Sequence, residues 1–344
     1  MSEEERPTLR VLEAPAREAL PDTVEAFLAR LGGPTLVHLA GRDRSRIRAF
    51  STLLHGNEPS GARALHRWLR SDAQPAVDML CFVGAVDAAR AAPGFAQRML
   101  HGSRDLNRCF QAPYKGDEGE LAEALLRRLR DHACEALIDV HNNTGHNPPY
   151  AVATRTDPER LALCGWFAER FVDCNLRLGT LIEATEDDFP GIALECGRAG
   201  DPVADAAAFE LVSRFFEADR IPWKQERPLQ ILHEPVRIRL APGTEVAFAD
   251  AAQPGADFTV VSDIDRHNFE RVAPGTPVGW LRDGSPWPVE AHGADDVDVS
   301  RELFVARDGM LQTRRELVPM MMTTDPSVAQ LDCLFYAVRP RNVE

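Results

Sequence analysis

The pattern His-x-x-Glu occurs three times in the chain, at His55/Glu58, His132/Glu135 and His267/Glu270. An imidazole and a carboxylate three positions apart can hand two ligands to a divalent metal. A catalytic zinc then needs a third protein ligand and an open position for water. Context separates the three copies. His132-Ala-Cys-Glu135 closes a basic amphipathic stretch, where a histidine in the last helical turn meets the negative helix end, so it reads as structural. His267-Asn-Phe-Glu270 lies in polar, irregular sequence with no neighbouring Gly turn to bring a third ligand close. His55-Gly56-Asn57-Glu58 instead stands where an apolar strand ends and a helix begins. In open α/β sheets, ligands collect beyond the carboxyl ends of the strands. Gly56 and Gly61 are expected to let the backbone turn sharply and keep this place open.

A second apolar run, Ala136-Leu137-Ile138-Asp139-Val140, ends in His141-Asn142-Asn143-Thr144-Gly145. If the two strands are parallel neighbours, His55 and His141 project into one crevice. Asp139, two residues earlier and so on the same face of the strand, could orient a ligand histidine. Glu195 caps a third run, Ile192-Ala193-Leu194, and is followed by Cys196-Gly197. A carboxylate beside a metal can take a proton from water and pass it to a leaving nitrogen. The alternative is a structural Glu paired with Arg198. Asp105-Leu106-Asn107-Arg108 places an amide beside a guanidinium, a pair able to grip a carboxylate, or else a surface turn with a salt bridge.

The elements that must position these groups follow from periodicity. Thr35 to Ala40 and Ile47 to Leu54 read as two paired strands, with the basic run Arg42 to Arg48 as a solvated hairpin turn between them. Pro59 fits the first turn of a helix through Ala62–Leu69. Met79 to Val86 reads as a buried strand and Ala91 to Lys115 as a loop. Glu118 to Cys134 carries Leu121, Leu125, Leu126 and Leu129 on one helical face. Strand-like and helix-like segments go on alternating through Pro202 to Phe216, which predicts an α/β sheet covered by helices. Beyond about Arg227, short alternating strands separated by Pro-Gly and Asp-Gly turns, with no convincing helix, predict a small all-β domain. The expected division is residues 1–226 and 227–344.

Composition narrows the function classes. Hydrophobic residues at 44% and charged residues at 27% are ordinary globular values, and the formal net charge of -14 opposes nucleic-acid binding. No run of 18 or more apolar residues occurs, and the opening Met-Ser-Glu-Glu-Glu-Arg lacks the form of a secretory signal. A cytoplasmic protein with no membrane partner is the expectation. The seven scattered cysteines, with no C-x-x-C pair, read as buried or half-buried thiols in a reducing compartment.

Taken in order, His55-Gly-Asn-Glu58, Asp105-Leu-Asn-Arg108, Asp139-Val-His141-Asn142 and Leu194-Glu195-Cys-Gly197 resemble the succinylglutamate desuccinylase/aspartoacylase family, a branch of the zinc carboxypeptidase superfamily. The resemblance implies a zinc-carboxypeptidase-like mixed sheet covered by helices, with a smaller C-terminal all-β domain over the active-site mouth. It implies His55, Glu58 and His141 as ligands of one Zn2+ per chain, Glu195 as general base, and Asn107 with Arg108 in substrate binding. A further Arg that polarises the scissile carbonyl is expected at Arg98, with Arg104 as the other choice. A tyrosine closing on the substrate is expected at Tyr150, with Tyr336 next. The chain departs from the desuccinylase pattern Glu-Leu-Gly-Lys in having Glu195-Cys196-Gly197-Arg198, so neither N-succinylglutamate nor N-acetylaspartate is named as substrate. The function this implies is removal of an acyl group from an N-acyl amino acid by metal-activated water. The alternatives are a carboxypeptidase or dipeptidase acting on a small peptide, and a non-catalytic binding module. The expected partner is a small carboxylate-bearing amide, and self-association into a homo-oligomer is left open.

Overall fold

The computed structural model describes residues 9–343, so the opening Met1–Arg6 lies outside the described residues. By its internal contacts the chain divides into two units. The first holds residues up to Asn142, Pro149–Phe171 and Arg177–Pro228, and the second holds Asn143–Pro148, Val172–Leu176 and Leu229–Glu344.

Eight strands of one mixed sheet are β1 (Arg10–Glu13), β2 (Thr35–Leu39), β3 (Asp43–Thr52), β4 (Val77–Val83), β5 (Leu137–Asn143), β6 (Tyr150–Ala153), β7 (Arg170–Asp173) and β8 (Gly191–Arg198). They run in the order β1-β2-β4-β3-β5-β8-β6-β7. The helices are α1 (Val24–Leu31), α2 (Ser60–Leu69), α3 (Val86–Arg90), α4 (Gly116–Asp131), α5 (Pro158–Phe167), α6 (Leu181–Ala184) and α7 (Pro202–Glu217). Alternation of strand and helix in the sequence thus gives the predicted helix-covered sheet. Leu121, Leu125, Leu126 and Leu129 of α4 pack in one core with Ala49, Leu80 and Leu137 of the sheet.

Strand order corrects one expectation. β2 and β3 are not paired with each other, because β4 lies between them, antiparallel to β2 and parallel to β3. All seven residues of β4 are buried, and a strand covered on both faces belongs in the sheet interior, flanked on both edges. The basic run is likewise no solvated hairpin turn: Asp43 to Arg48 forms the first part of β3. Arg48 is fully buried, and donates from Nε to Glu135 (2.8 Å) and from Nη1 to the carbonyls of Phe215 and Ala218 (2.8 Å each). Removing the guanidinium leaves Glu135 only the more distant Arg46 (3.5 Å) and takes the donor from two carbonyls, so Arg48→Ala is expected to destabilise the fold by about 3 kcal/mol. Denaturant unfolding measures this, and a loss below about 0.5 kcal/mol contradicts the structural role assigned to Arg48.

β3 and β5 are parallel neighbours, with Ser51 opposite Asp139 and Thr52 opposite Val140. Their carboxyl ends therefore lie side by side. Gly61 is required here for close packing: a Cβ would stand 2.2 Å from Thr52 Oγ1, where α2 crosses β3. Gly56 is in the same position, its added Cβ meeting Ala89 N and Gln97 O at 2.6 Å each. Neither glycine has the positive φ that a sharp turn was expected to demand; the left-handed residue at this corner is Leu53, with φ 55°.

The second unit contains β9 (Gln230–His233), β10 (Val236–Leu240), β11 (Val246–Ala249), β12 (Phe258–Val261), β13 (Pro277–Leu281), β14 (Val289–His292), β15 (Phe304–Arg307), β16 (Met310–Thr313), β17 (Val318–Met320) and β18 (Phe335–Val338). Nine of these form a four-stranded sheet, β14-β10-β18-β17, and a five-stranded sheet, β11-β12-β13-β16-β15. Ile238, Phe258, Val260, Leu311 and Phe335 belong to their shared core. Two short helices, α8 (Ser300–Leu303) and α9 (Pro326–Leu331), interrupt the strands where the sequence predicted none. Each is too short to show a helical period.

Candidate metal centre

At the adjoining ends of β3 and β5, His55, Glu58 and His141 come together, all buried, with ligand atoms within 4.8 Å of one another. The Glu58 carboxylate lies between the two rings, with Oε1 2.7 Å from His55 Nδ1 and Oε2 2.7 Å from His141 Nδ1. The far nitrogen of each ring is held by a second carboxylate. His55 Nε2 is 3.1 Å from Asp105 Oδ1, and His141 Nε2 is 2.8 Å from Asp139 Oδ2. Both imidazoles are thereby pinned with Nδ1 turned toward one point. This donor set, two oriented imidazoles and one carboxylate, fits a divalent first-row metal. Neither His132 nor His267 joins a group of this kind among the described residues. His132 Nδ1 donates to the Arg128 carbonyl at 2.7 Å, closing α4.

Charge in the cluster follows from its neighbours. Burial works against a charged Glu58, but the two histidines hold its carboxyl well below the ordinary range. Burial also opposes a charged His141, yet Asp139 and Glu58 raise its pKa well above the usual value. His55 is raised too, where burial and Arg98 are outweighed by Glu58 and Asp105. Asp105 is depressed against burial by His55 and Arg98.

The part Asp105 plays here goes beyond the sequence expectation, which gives its motif a role only through Asn107 and Arg108. Asp105 stands fifty residues beyond His55. Arg98 donates to Asp105 Oδ2 from Nε (3.1 Å) and Nη2 (2.9 Å), and its Nη1 is 3.7 Å from Glu58 Oε1. Arg104 is exposed and donates to the Lys115 carbonyl at 2.7 Å, so Arg98 is the arginine drawn to the cluster. Asn107 is buried, and its Oδ1 accepts from the Leu181 N–H at 3.0 Å, which leaves any ligand contact to Nδ2. Arg108 is half-buried and donates to the Asn107 carbonyl at 2.9 Å. Asn142 braces the site: its N–H reaches Glu58 Oε2 (3.3 Å), its Oδ1 accepts from Ser60 N–H (3.0 Å), and its Nδ2 donates to the Gly197 carbonyl (3.1 Å).

Glu195 lies on β8, the strand next to β5 in the sheet. Burial pushes its carboxyl up to about 7; His141 opposes this and Glu58 adds to it. Arg198, its alternative partner, is exposed and makes no ion pair among the described residues. Tyr150 pairs directly with Glu195 across β6 and β8 and is wholly buried. Tyr336 lies on β18, within the second unit.

Residues 50–178 match the model of the succinylglutamate desuccinylase/aspartoacylase catalytic domain. The matched stretch is similar to that catalytic domain and carries His55, Glu58 and His141. Solved structures agree at the level of fold. A succinylglutamate desuccinylase/aspartoacylase from Rhodobacter sphaeroides superposes with a TM-score of 0.55 at 14% identity, over 89% of this chain and 87% of that one. The ectoine utilization protein EutE (DoeB) from Ruegeria pomeroyi gives a TM-score of 0.55 at 16% identity, over 89% and 88%. Murine aminoacylase 3 gives 0.50 at 17% identity, over 87% and 96%. Among curated proteins no match is found. The zinc-carboxypeptidase-like fold of these structures is thus present in this chain.

One consequence concerns the carboxylates behind the rings. Asp139 is 1% exposed and fixes the orientation of His141. Changing such a partner of a ligand histidine lowers metal affinity by about 10- to 100-fold, and Asp139→Asn is expected to do so. Competition with a chromophoric chelator measures it. An unchanged constant would show that Asp139 does not orient a ligand.

Proposed function

We propose that the chain is a zinc-dependent amidohydrolase that removes the acyl group from an N-acyl amino acid, with one Zn2+ held by His55, Glu58 and His141 and with Glu195 as general base. The observation that carries this reading is the pair of imidazoles, each pinned from behind by an aspartate, facing the single Glu58 carboxylate. When bound, the metal would supply Lewis acidity, acidifying a water and polarising an acyl carbonyl.

The chain's own groups supply the rest. A carboxyl raised to about 7 suits a base that takes a proton from water near neutral pH and returns it to the leaving nitrogen. Arg98, held by Asp105 beside Glu58, is the donor for charge developing on the scissile carbonyl oxygen. Arg108 offers a planar fork to a substrate carboxylate, with Asn107 Nδ2 beside it. Tyr150, fixed in the sheet opposite Glu195, is assigned to the wall of this site, where it contributes shape. The buried thiols Cys81, Cys109, Cys134, Cys164 and Cys196 suit a reducing compartment, which supports the cytoplasm as its location. No helix among the described residues is long and apolar enough to cross a membrane.

The test is turnover of acetyl, succinyl and other acyl amino acids by protein loaded with one equivalent of zinc. Hydrolysis of at least one is expected, and none across the panel overturns the reading. Faster cleavage of longer peptides than of acyl amino acids would favour the carboxypeptidase alternative instead.

A further inference from the structure

A cavity of about 560 Å3 opens in the first unit, lined by none of the three metal ligands. Its volume is that of a small-molecule site. Arg10, Arg104, Asp117 and Glu118 stand in its wall. The two guanidiniums are held in place by backbone carbonyls, Arg10 by Leu31 (2.7 Å) and Arg104 by Lys115 (2.7 Å). Among the described residues neither arginine has a carboxylate partner, and neither acid has a cationic one. Both signs of charge therefore face one space without neutralising each other. Gly33 is buried in the same wall, yet a Cβ built on it meets no atom within 4 Å, because it faces the cavity.

The cavity and the metal centre share a wall. Leu54 precedes His55, and Leu106 lies between Asp105 and Asn107; both line the cavity. So does Arg98, whose guanidinium holds the Asp105 carboxylate that in turn holds His55. A ligand carboxylate reaching Arg98 from the cavity competes with Asp105, and the orientation of His55 loosens.

We propose that this cavity is a second ligand site for a free zwitterionic amino acid, with its carboxylate on the arginines and its ammonium on Asp117 and Glu118, and that occupancy weakens metal binding through Arg98 and Asp105. The coupling rests on the metal reading above; the binding itself does not, and needs no turnover to be seen.

Calorimetry on the full zinc-loaded chain tests it, with L-glutamate as the probe and succinate and putrescine as single-sign controls. L-Glutamate is expected to bind with a Kd below about 1 mM, at least tenfold tighter than either control. Gly33→Phe, which fills the cavity, abolishes that binding while zinc stoichiometry stays at one. His141→Ala, which disables the metal centre, keeps it. Retention in Gly33→Phe, loss in His141→Ala, or no binding at all overturns the site. Should Gly33→Phe fail to fold, the doubly neutralised Asp117→Asn/Glu118→Gln chain must bind at least tenfold more weakly. Saturating L-glutamate is expected to raise the zinc Kd about fivefold or more; an unchanged constant overturns the coupling.

Discussion

Glu195→Gln is expected to lower kcat by about 10²- to 10⁴-fold while the protein still carries one zinc. Gln keeps the size and hydrogen-bonding oxygen of Glu but cannot accept and return a proton, so the change separates the base from the metal site. Glu195 is not among the three clustered side chains that could hold a metal, so metal content should be untouched. Loss of zinc together with activity would show that Glu195 is a ligand and not the base. The sign of the pH effect follows from the same residue. Burial favours its neutral form, with His141 opposing and Glu58 adding, and brings the metal-free carboxyl to about 7. A base works when ionised, so the rate falls as pH drops through its pKa. A bound dication favours the carboxylate and moves that pKa down. The acid limb of kcat/KM is therefore expected at or below about pH 7. An acid limb well above 7 would contradict the assignment.

The second large effect is loss of the metal. Dialysis against a chelator is expected to abolish turnover, with recovery on adding one equivalent of zinc, and His141→Ala should neither hold zinc nor recover. Stability reports this independently of activity. At free zinc about 100 times its Kd, binding raises unfolding free energy by about 2.7 kcal/mol, and this increment should vanish in His141→Ala. The histidines also fix a pH dependence. Burial works against the charged form of both rings, yet Asp139 and Glu58 raise His141, while Glu58 and Asp105 raise His55 against burial and Arg98. Raised pKa values mean that the metal must displace protons, so apparent affinity climbs with pH, and goes on climbing above the ordinary histidine range near 6.5. Zinc affinity that is flat from pH 6 to 8 would show that these rings are not the ligands.

Much of the site was legible because its parts are short and local. His55-Gly-Asn-Glu58, the Asp139/His141 pair and Glu195 each follow an apolar run, and the alternation that marks a strand also tells where it ends. The helix face of α4 and the change to a β-rich region near Arg227 were read from period in the same way. The amino-acid order thus determined which side chains could hold a metal and that strand ends would carry them.

Tertiary structure alone decided who stands beside whom. Strand period says nothing about pairing, so β4 between β2 and β3, the adjacency of β3 and β5, and Tyr150 opposite Glu195 had to come from the folded sheet. Arg48, in a run that looks solvent-facing, is buried because its donors meet Glu135 and two carbonyls far along the chain. Asp105 holds His55 for the same reason. Hydrogen bonds between side chains depend on distance in space, and a contact across fifty or more residues leaves no period behind it in the sequence.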